Sequence, residues 1–330
     1  SLKQNYDGTS SYFMIPLMEE EYTPVGFPKL GLQAESENLD KGGMSFHTLP
    51  AYSTYSRKSH WIDIYNQGTG ELSWSITPSE DWILISQKSG KTSAENRIYI
   101  SVDWDKVPAG EKVKGQIDIT SGTQKETVLV SVFNPESPAR TEVQGLYVEE
   151  NGYISIPAAD FHRKFESNDI RMSILPGLGF EGRSLQLGNP TAPLQMYRAG
   201  DVPRVEYDFY TFEQGSVDVY TYVLPTFTLS KDRGYAGHEA TNVETKYGVC
   251  IDEGPVMNPS TSSFEYAQIW YESVLKNCRI NKTTLHIDKP GKHTVKIICG
   301  DAGTVLQKIV LDFGGMKRSY LGPQPTRQAK

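Results

Sequence analysis

No run of apolar residues in this sequence approaches the roughly 20 that a helix needs to cross a bilayer. Clusters of basic residues are also missing. The 33 Lys and Arg side chains are scattered and outnumbered by 40 acidic ones, for a formal net charge of -7. Phosphate neutralisation needs a basic face, so nucleic acid is not expected as a partner, and neither is a membrane. Cysteine is scarce: Cys250, Cys278 and Cys299 form no CxxC pair, which argues against a structural zinc site. Buried thiols are the expected state, with one disulfide as the alternative. The opening SLKQNYDGTSSYFM lacks the basic-then-apolar order of a secretory signal. The 6 histidines supply neither HExxH nor HxH, and no serine sits in GxSxG. GLGFEG (177–182) contains GxG but has no third glycine in the required place and no βαβ setting, so it is not read as a dinucleotide site. No cofactor and no metal site are expected.

What is abundant is turn chemistry: 29 Gly and 19 Pro, with 19 Tyr, over 330 residues. Residues 1–45, with Pro16, Pro24 and Pro28 and no sustained period, are expected to be an irregular remnant of an upstream domain; an ordered tail packed on the domains after it is the alternative. From residue 46 the pattern changes. HWIDIYN, LSWSITP, DWILISQKSG, NRIYISVDW, GQIDIT and ETVLVSVFN are short alternating runs separated by Gly and Pro turns. Such spacing predicts an immunoglobulin-like β-sandwich over 46–134. Trp61, Trp74 and Trp82 are expected to pack in its core. With no cysteine in that stretch, burial alone must hold it.

PESPARTEV supplies a linker at 135–143. A second strand series then runs from GLYVEENGYISIP to TVLQKIVLDFG and predicts a jelly-roll sandwich over 144–322, followed by a tail at 323–330. One segment breaks the β pattern. In SSFEYAQIWYESVLKNC, Ser262 and Ser263 are usable N-caps. Phe264, Ala267, Tyr271, Val274, Leu275 and Cys278 follow helical spacing, so a helix with one apolar face is expected to close the sandwich. The fold class is therefore all-β: two sandwiches, the second carrying one helix, after an irregular N-terminal segment.

Glycoside hydrolysis usually needs two carboxylates at a set separation, one of raised pKa. Glu19-Glu20-Glu21 reads as a solvated run, Asp252-Glu253 as a turn, and Asp103 and Asp105 as a strand edge. Glu206 and Asp208, ~7 Å apart by strand rise, read as a wet sheet face. His286 and Asp288 read as a surface pair, and His162 and Arg163 as an ordinary edge.

GYISIPAADFHRKF, ILPGLGFEGRSLQL and VEYDFYTFEQGSVDVYTYVLPTFTL resemble the C-terminal domain of family 115 glycoside hydrolases, the xylan α-glucuronidases. HTVKIICGDAGTVLQKIVLDFGGMKRSYLGPQPTR resembles their C-terminus most specifically, and YSTYSRKSHWIDIYNQGTGELSWSI with YISVDWDKVPAGEKVKGQIDI resembles a BACON-type module. Pro157-Ala158-Ala159-Asp160 stands where related jelly rolls carry calcium-binding glutamates, so calcium is not expected there.

The resemblance implies a non-catalytic accessory region. Family members carry the acid and base on an upstream (β/α)₈ barrel, whose alternating strands and helices this sequence lacks. The implied partners are that barrel in the same polypeptide, a second copy of the chain, or a xylan-type polysaccharide. The implied location is secreted, periplasmic or cell-surface in a bacterium. A second reading makes the jelly roll a carbohydrate-binding module that holds xylan or glucuronic-acid-bearing glycans on exposed aromatics. Its candidates are Tyr235 and His238 in the loop DRGYAGHEATN, and Trp270 and Tyr271 on the helix.

Overall fold

A computed structural model describes residues 23–35, 47–191, 203–226, 245–262, 268–317 and 319–330. It is all-β, as expected. The chain divides into two compact units, the first comprising Ser1–Leu49, His60–Ser101 and Gly115–Leu129, the second Pro50–Ser59, Val102–Lys114 and Val130–Lys330.

The early strands are β1 (Leu30–Ala34), β2 (His47–Thr48), β3 (Tyr52–Ser53), β4 (His60–Asn66), β5 (Leu72–Pro78), β6 (Ile83–Ile85), β7 (Ser89–Thr92), β8 (Glu95–Val102), β9 (Gly110–Ser121) and β10 (Gln124–Asn134). One sheet has the order β1-β4-β8-β6; the other runs β2-β10-β9-β5-β7, with β3 also on β10. Alternation explains the burial. Ile62 and Ile64 of β4, Leu72, Trp74 and Ile76 of β5, and Ile98 and Ile100 of β8 all point inward. Residues 30–34, within the segment expected to be irregular, form β1 and pair antiparallel with β4.

Trp74 and Trp82 are buried as expected, but Trp61 is not a core residue. It lies with Asp63 and Tyr65 on the outer side of β4, because Ile62 and Ile64 take the inward positions.

The later strands are β11 (Tyr147–Val148), β12 (Tyr153–Pro157), β13 (Arg163–Phe165), β14 (Ser173–Pro176), β15 (Arg183–Leu187), β16 (Arg204–Thr211), β17 (Gly215–Val223), β18 (Gly248–Ile251), β19 (Arg279–Ile287), β20 (Gly291–Ile298) and β21 (Thr304–Asp312), with helix α1 at Gln268–Leu275. They make two facing sheets. One is ordered β11-β16-β20-β18 with β13 on β16; the other is β14-β15-β21-β17-β19 with β12 on β21. Ile154, Ile156, Val205, Tyr207, Phe209, Val217, Val219, Val295, Ile297 and Ile309 are among the residues filling the space between them. The three cysteines are free and buried. Burial pushes the Cys278 and Cys299 thiols up to about 12, which keeps them protonated and unreactive.

β21 carries an irregularity opposite Tyr222 and Val223. Leu306 and Ile309 both join the core, so the extra residue turns the consecutive Gln307 and Lys308 to the other side. There the Gln307 side chain accepts the Phe180 N–H (3.2 Å). The Lys308 ammonium meets Glu181 at 2.5 Å and donates to the carbonyls of Leu321 (3.2 Å) and Pro323 (3.0 Å). This bulge thus fastens GLGFEG and the terminal SYLGP to the sheet. GLGFEG is a hairpin loop between β14 and β15, not a phosphate cradle. Gly179, at φ +84°, has no room for a side chain, since a Cβ there would lie 2.5 Å from the Ser184 hydroxyl.

Candidate functional site

Strand alternation places Arg204, Glu206 and Asp208 on the outer side of β16, and antiparallel pairing sets Arg163 of β13 and Lys296 of β20 on either side of Glu206. The result is a tight ionic band. Arg163 grips Asp208 bidentately (2.5 and 2.7 Å) and donates from Nε to Glu206 (2.8 Å). Arg204 donates to the other Glu206 oxygen (2.6 Å), and the Thr294 hydroxyl donates to Asp208 (2.8 Å). The Arg204 guanidinium also lies over the Phe165 ring, 4.1 Å from its centre.

Burial raises both carboxylates, but hydrogen bonds outweigh it: from Arg163 and Thr294 for Asp208, and from Arg204 and Arg163 for Glu206. Both end below their ordinary values. That is the opposite of what a general acid requires. Glu149 is instead held above the usual carboxylate range by burial, partly offset by hydrogen bonds from Thr211 and the Phe212 N–H. It is a packed interior group (Thr211 Oγ1 at 2.5 Å) rather than one of a catalytic pair in a cleft.

His162 is no ordinary edge residue. Its Nδ1 accepts the Asp208 backbone N–H (3.0 Å), and its Nε2 lies 2.8 Å from the Gly145 carbonyl. Asp160 is paired with Arg183 at 2.5 Å. Among the described residues, no three His, Cys, Asp or Glu side chains come together as a cation site. His286 and Asp288 form the expected surface pair at 3.4 Å. Asp252 and Glu253 lie in a turn and reach His293 (2.7 Å) and Lys296 (2.5 Å).

The helix differs from expectation in the direction it faces. Its buried residue is Ser273, whose hydroxyl donates to the Ile269 carbonyl (2.6 Å). Of the stripe expected to pack inward, Cys278 is buried but Tyr271 (52% exposed), Val274 and Leu275 (78% exposed) point out, while Phe264 and Ala267 lie outside the described residues; Ile269 is also exposed. The cause lies beneath. Tyr222, Val310 and Cys278 already close the outer side of the sheet with Phe180 and Met316, and the chain enters that cluster through the turn after α1. Trp270 is half-buried. Tyr320, 58% exposed, extends the apolar patch, its hydroxyl donating to the Leu275 carbonyl (3.3 Å). Of the four candidate sugar-contacting residues, Trp270 and Tyr271 are therefore adjacent on α1, while Tyr235 and His238 lie outside the described residues.

Sequence patterns alone did not reveal the Arg163–Asp208 band or the Lys308 anchor. For the band there was a signal, the Arg-x-Glu-x-Asp alternation at 204–208. For the anchor, LQKIV showed only a lysine in an otherwise apolar strand.

Two family models match the chain: the glycosyl hydrolase family 115 C-terminal domain over residues 146–325, and the viral BACON domain over 51–133. No curated protein matches. Among solved structures, a family 115 4-O-methyl-α-glucuronidase with specificity for decorated arabinogalactans is similar at 17% identity and a TM-score of 0.33, over 46% of this chain and 17% of that one. The C-terminal family 6 carbohydrate-binding module of a laminarinase from Zobellia galactanivorans is similar at 11% identity and a TM-score of 0.28, over 48% and 98% of the two chains. A family 35 carbohydrate-binding module from Clostridium thermocellum gives 8% identity and a TM-score of 0.30, over 48% and 96%. The chain thus spans less than a fifth of the glucuronidase it resembles. The match over residues 146–325 takes in more than half of the 330 residues, and by it the chain belongs to glycoside hydrolase family 115, carrying that family's C-terminal domain.

Proposed function

We propose that this chain is the non-catalytic accessory region of a xylan α-(4-O-methyl)-glucuronidase, and that its family 115 domain, with limits near 144–322, supports or dimerises an upstream catalytic barrel. The parent would be a bacterial secreted, periplasmic or cell-surface hydrolase. Among the described residues no helix is long and apolar enough to cross a membrane. The observation that carries the supporting role is the outward stripe of α1. Ile269, Val274, Leu275 and Leu321 are aliphatic and exposed together with Tyr271 and Tyr320, a composition that favours a protein surface over a sugar ring. With the catalytic part attached, Leu275→Asp should lower the melting temperature of the whole enzyme or dissociate its dimer, while the melting of this chain alone stays unchanged. An unchanged whole enzyme would remove the support.

The exposure of Tyr271 beside Trp270 favours the second reading, a sugar-binding module. Calorimetric titration with glucuronic acid decides between them. The supporting role predicts no heat, whereas heat abolished by Trp270→Ala would establish the module.

A further inference from the structure

We propose that Asn151 is a covalent modification site: its side-chain amide latches segment 50–59, and hydrolysis to aspartate or isoaspartate, opened to it by the glycine that follows, undoes the latch for good. The site is separate from α1 and does not depend on the role given to the family 115 domain.

The turn dictates the residue pair. Glu150 and Tyr153 exchange both backbone hydrogen bonds (3.2 Å each), leaving Asn151 and Gly152 as the two central residues of a hairpin turn. Both have positive φ, +56° and +76°, the conformation that selects Asn-Gly. Space selects as well at the second position, where a Cβ would lie 2.9 Å from the Gly315 Cα. No other Asn-Gly pair occurs in the sequence.

The asparagine side chain is engaged at both ends. Its Oδ1 accepts the Ala51 N–H (2.8 Å) and its Nδ2 donates to the Ala51 carbonyl (3.2 Å). Such a grip needs an acceptor and a donor on one planar group, which an amide has and a carboxylate lacks. Ala51 lies in segment 50–59, and two more ties run from that segment to the residue before the turn: Ser56 and Lys58 both donate to Glu150 (2.5 and 2.6 Å). Tyr55 completes the seating, donating to the Pro138 carbonyl (2.8 Å) and packing with Phe133 and Phe212.

The reaction needs only water, and Asn151 is exposed. Gly152 has no side chain to shield its backbone nitrogen, which attacks Asn151 Cγ. The new C–N bond closes a succinimide ring while the Cγ–Nδ2 bond breaks, and ammonia leaves with the proton given up by the glycine nitrogen. Water then opens the ring at either carbonyl, leaving aspartate or isoaspartate in place of asparagine.

The latch sets both the rate and the consequence. The amide must leave Ala51 and the turn must open before Cγ can reach the nitrogen, so the folded chain reacts slowly. Afterwards an oxygen stands where Nδ2 donated, facing the Ala51 carbonyl. A second negative charge also lies next to Glu150, which is 7% exposed and already paired with Lys58. Both effects oppose closing the latch again.

The test is peptide mass mapping of the full chain aged in warm, mildly alkaline buffer, with and without urea. In urea the tryptic peptide carrying Asn151 should gain one mass unit. Without urea the gain should be at least about tenfold slower, the effect of two hydrogen bonds holding the amide. Ala51→Pro, which removes the N–H given to Oδ1, should age faster than the wild type without urea. Asn151→Asp reproduces the product without ageing and should speed tryptic cleavage after Arg57, an exposed residue of the segment. No mass gain in urea, or equal rates with and without it, overturns the proposal. So does a folded Ala51→Pro chain that ages like the wild type, or an Asn151→Asp chain cut after Arg57 at the wild-type rate.

Discussion

Replacing Lys308 with alanine is expected to cost about 3 kcal/mol of folding stability, the lower end for removing one partner from a buried ion pair because Glu181 keeps some contact with solvent, read as a lower urea midpoint. The side chain is 2% exposed, and its ammonium is the shared donor to Glu181, Leu321 and Pro323. Without it, two carbonyls and the partly exposed Glu181 carboxylate lose their shared donor. The terminal segment feels this first. The Pro323 carbonyl also accepts from the Ser155 hydroxyl, and Thr326 pairs with the Ser155 backbone, so the strand-like seating of the tail starts at Lys308. Lys308→Met restores the apolar stem but not the charge, and should recover little. Adding Glu181→Gln removes the stranded carboxylate and should recover part of the loss. A Lys308→Ala variant within about 0.5 kcal/mol of wild type would mean the anchor contributes no more than a surface site.

Arg163→Ala should be the next most damaging change, at about 2 kcal/mol, below the buried-pair range because the arginine is itself partly exposed. Its loss leaves Asp208 with Thr294 and a backbone-held His162 nearby, and Glu206 with the Arg204 hydrogen bond and Lys296 across the strand. The pH dependence carries the signature. Asp208 and Glu206 have folded-state pKa values below their ordinary 3.8 and 4.5. Their contribution is therefore present above those ordinary values and is lost as pH falls through the lowered ones. Wild-type stability should fall steeply below about pH 4, and Arg163→Ala should flatten that fall. Equal acid slopes in the two proteins would show that the band does not hold these carboxylates. Glu149 works in the other sense. Its raised pKa means the stability it contributes is present below the ordinary carboxylate range and lost as pH rises through the folded value.

The β architecture was legible because alternation and turn chemistry are local signals. LSWSITP buries Leu72, Trp74 and Ile76 as its pattern implies. Alternation also held the answer for Trp61, which shares a parity with Asp63 and so belongs on the wet face. The size of the indole points to the core, and here parity outweighs size. LQKIV was illegible for a different reason. Its alternation slips by one residue at a bulge, and only the partner strand shows where. The helix was readable as a helix, but its direction was not. Periodicity fixes which residues share a face, whereas what that face meets depends on Tyr222, Val310 and Cys278, which come from distant strands and a turn. The ionic band depends on register as well. Arg163 meets Glu206 and Asp208 only because β13 pairs with β16, across more than 40 residues of chain.

We propose that this chain supports or binds and does not itself hydrolyse. Incubating the purified chain with a 4-O-methylglucuronic-acid-bearing xylo-oligosaccharide and following free 4-O-methylglucuronic acid tests it directly. No release above the enzyme-free control is expected near neutral pH, where the hydrogen bonds that lower Glu206 and Asp208 leave both ionised and neither able to serve as the acid. Release that scales with chain concentration would contradict it.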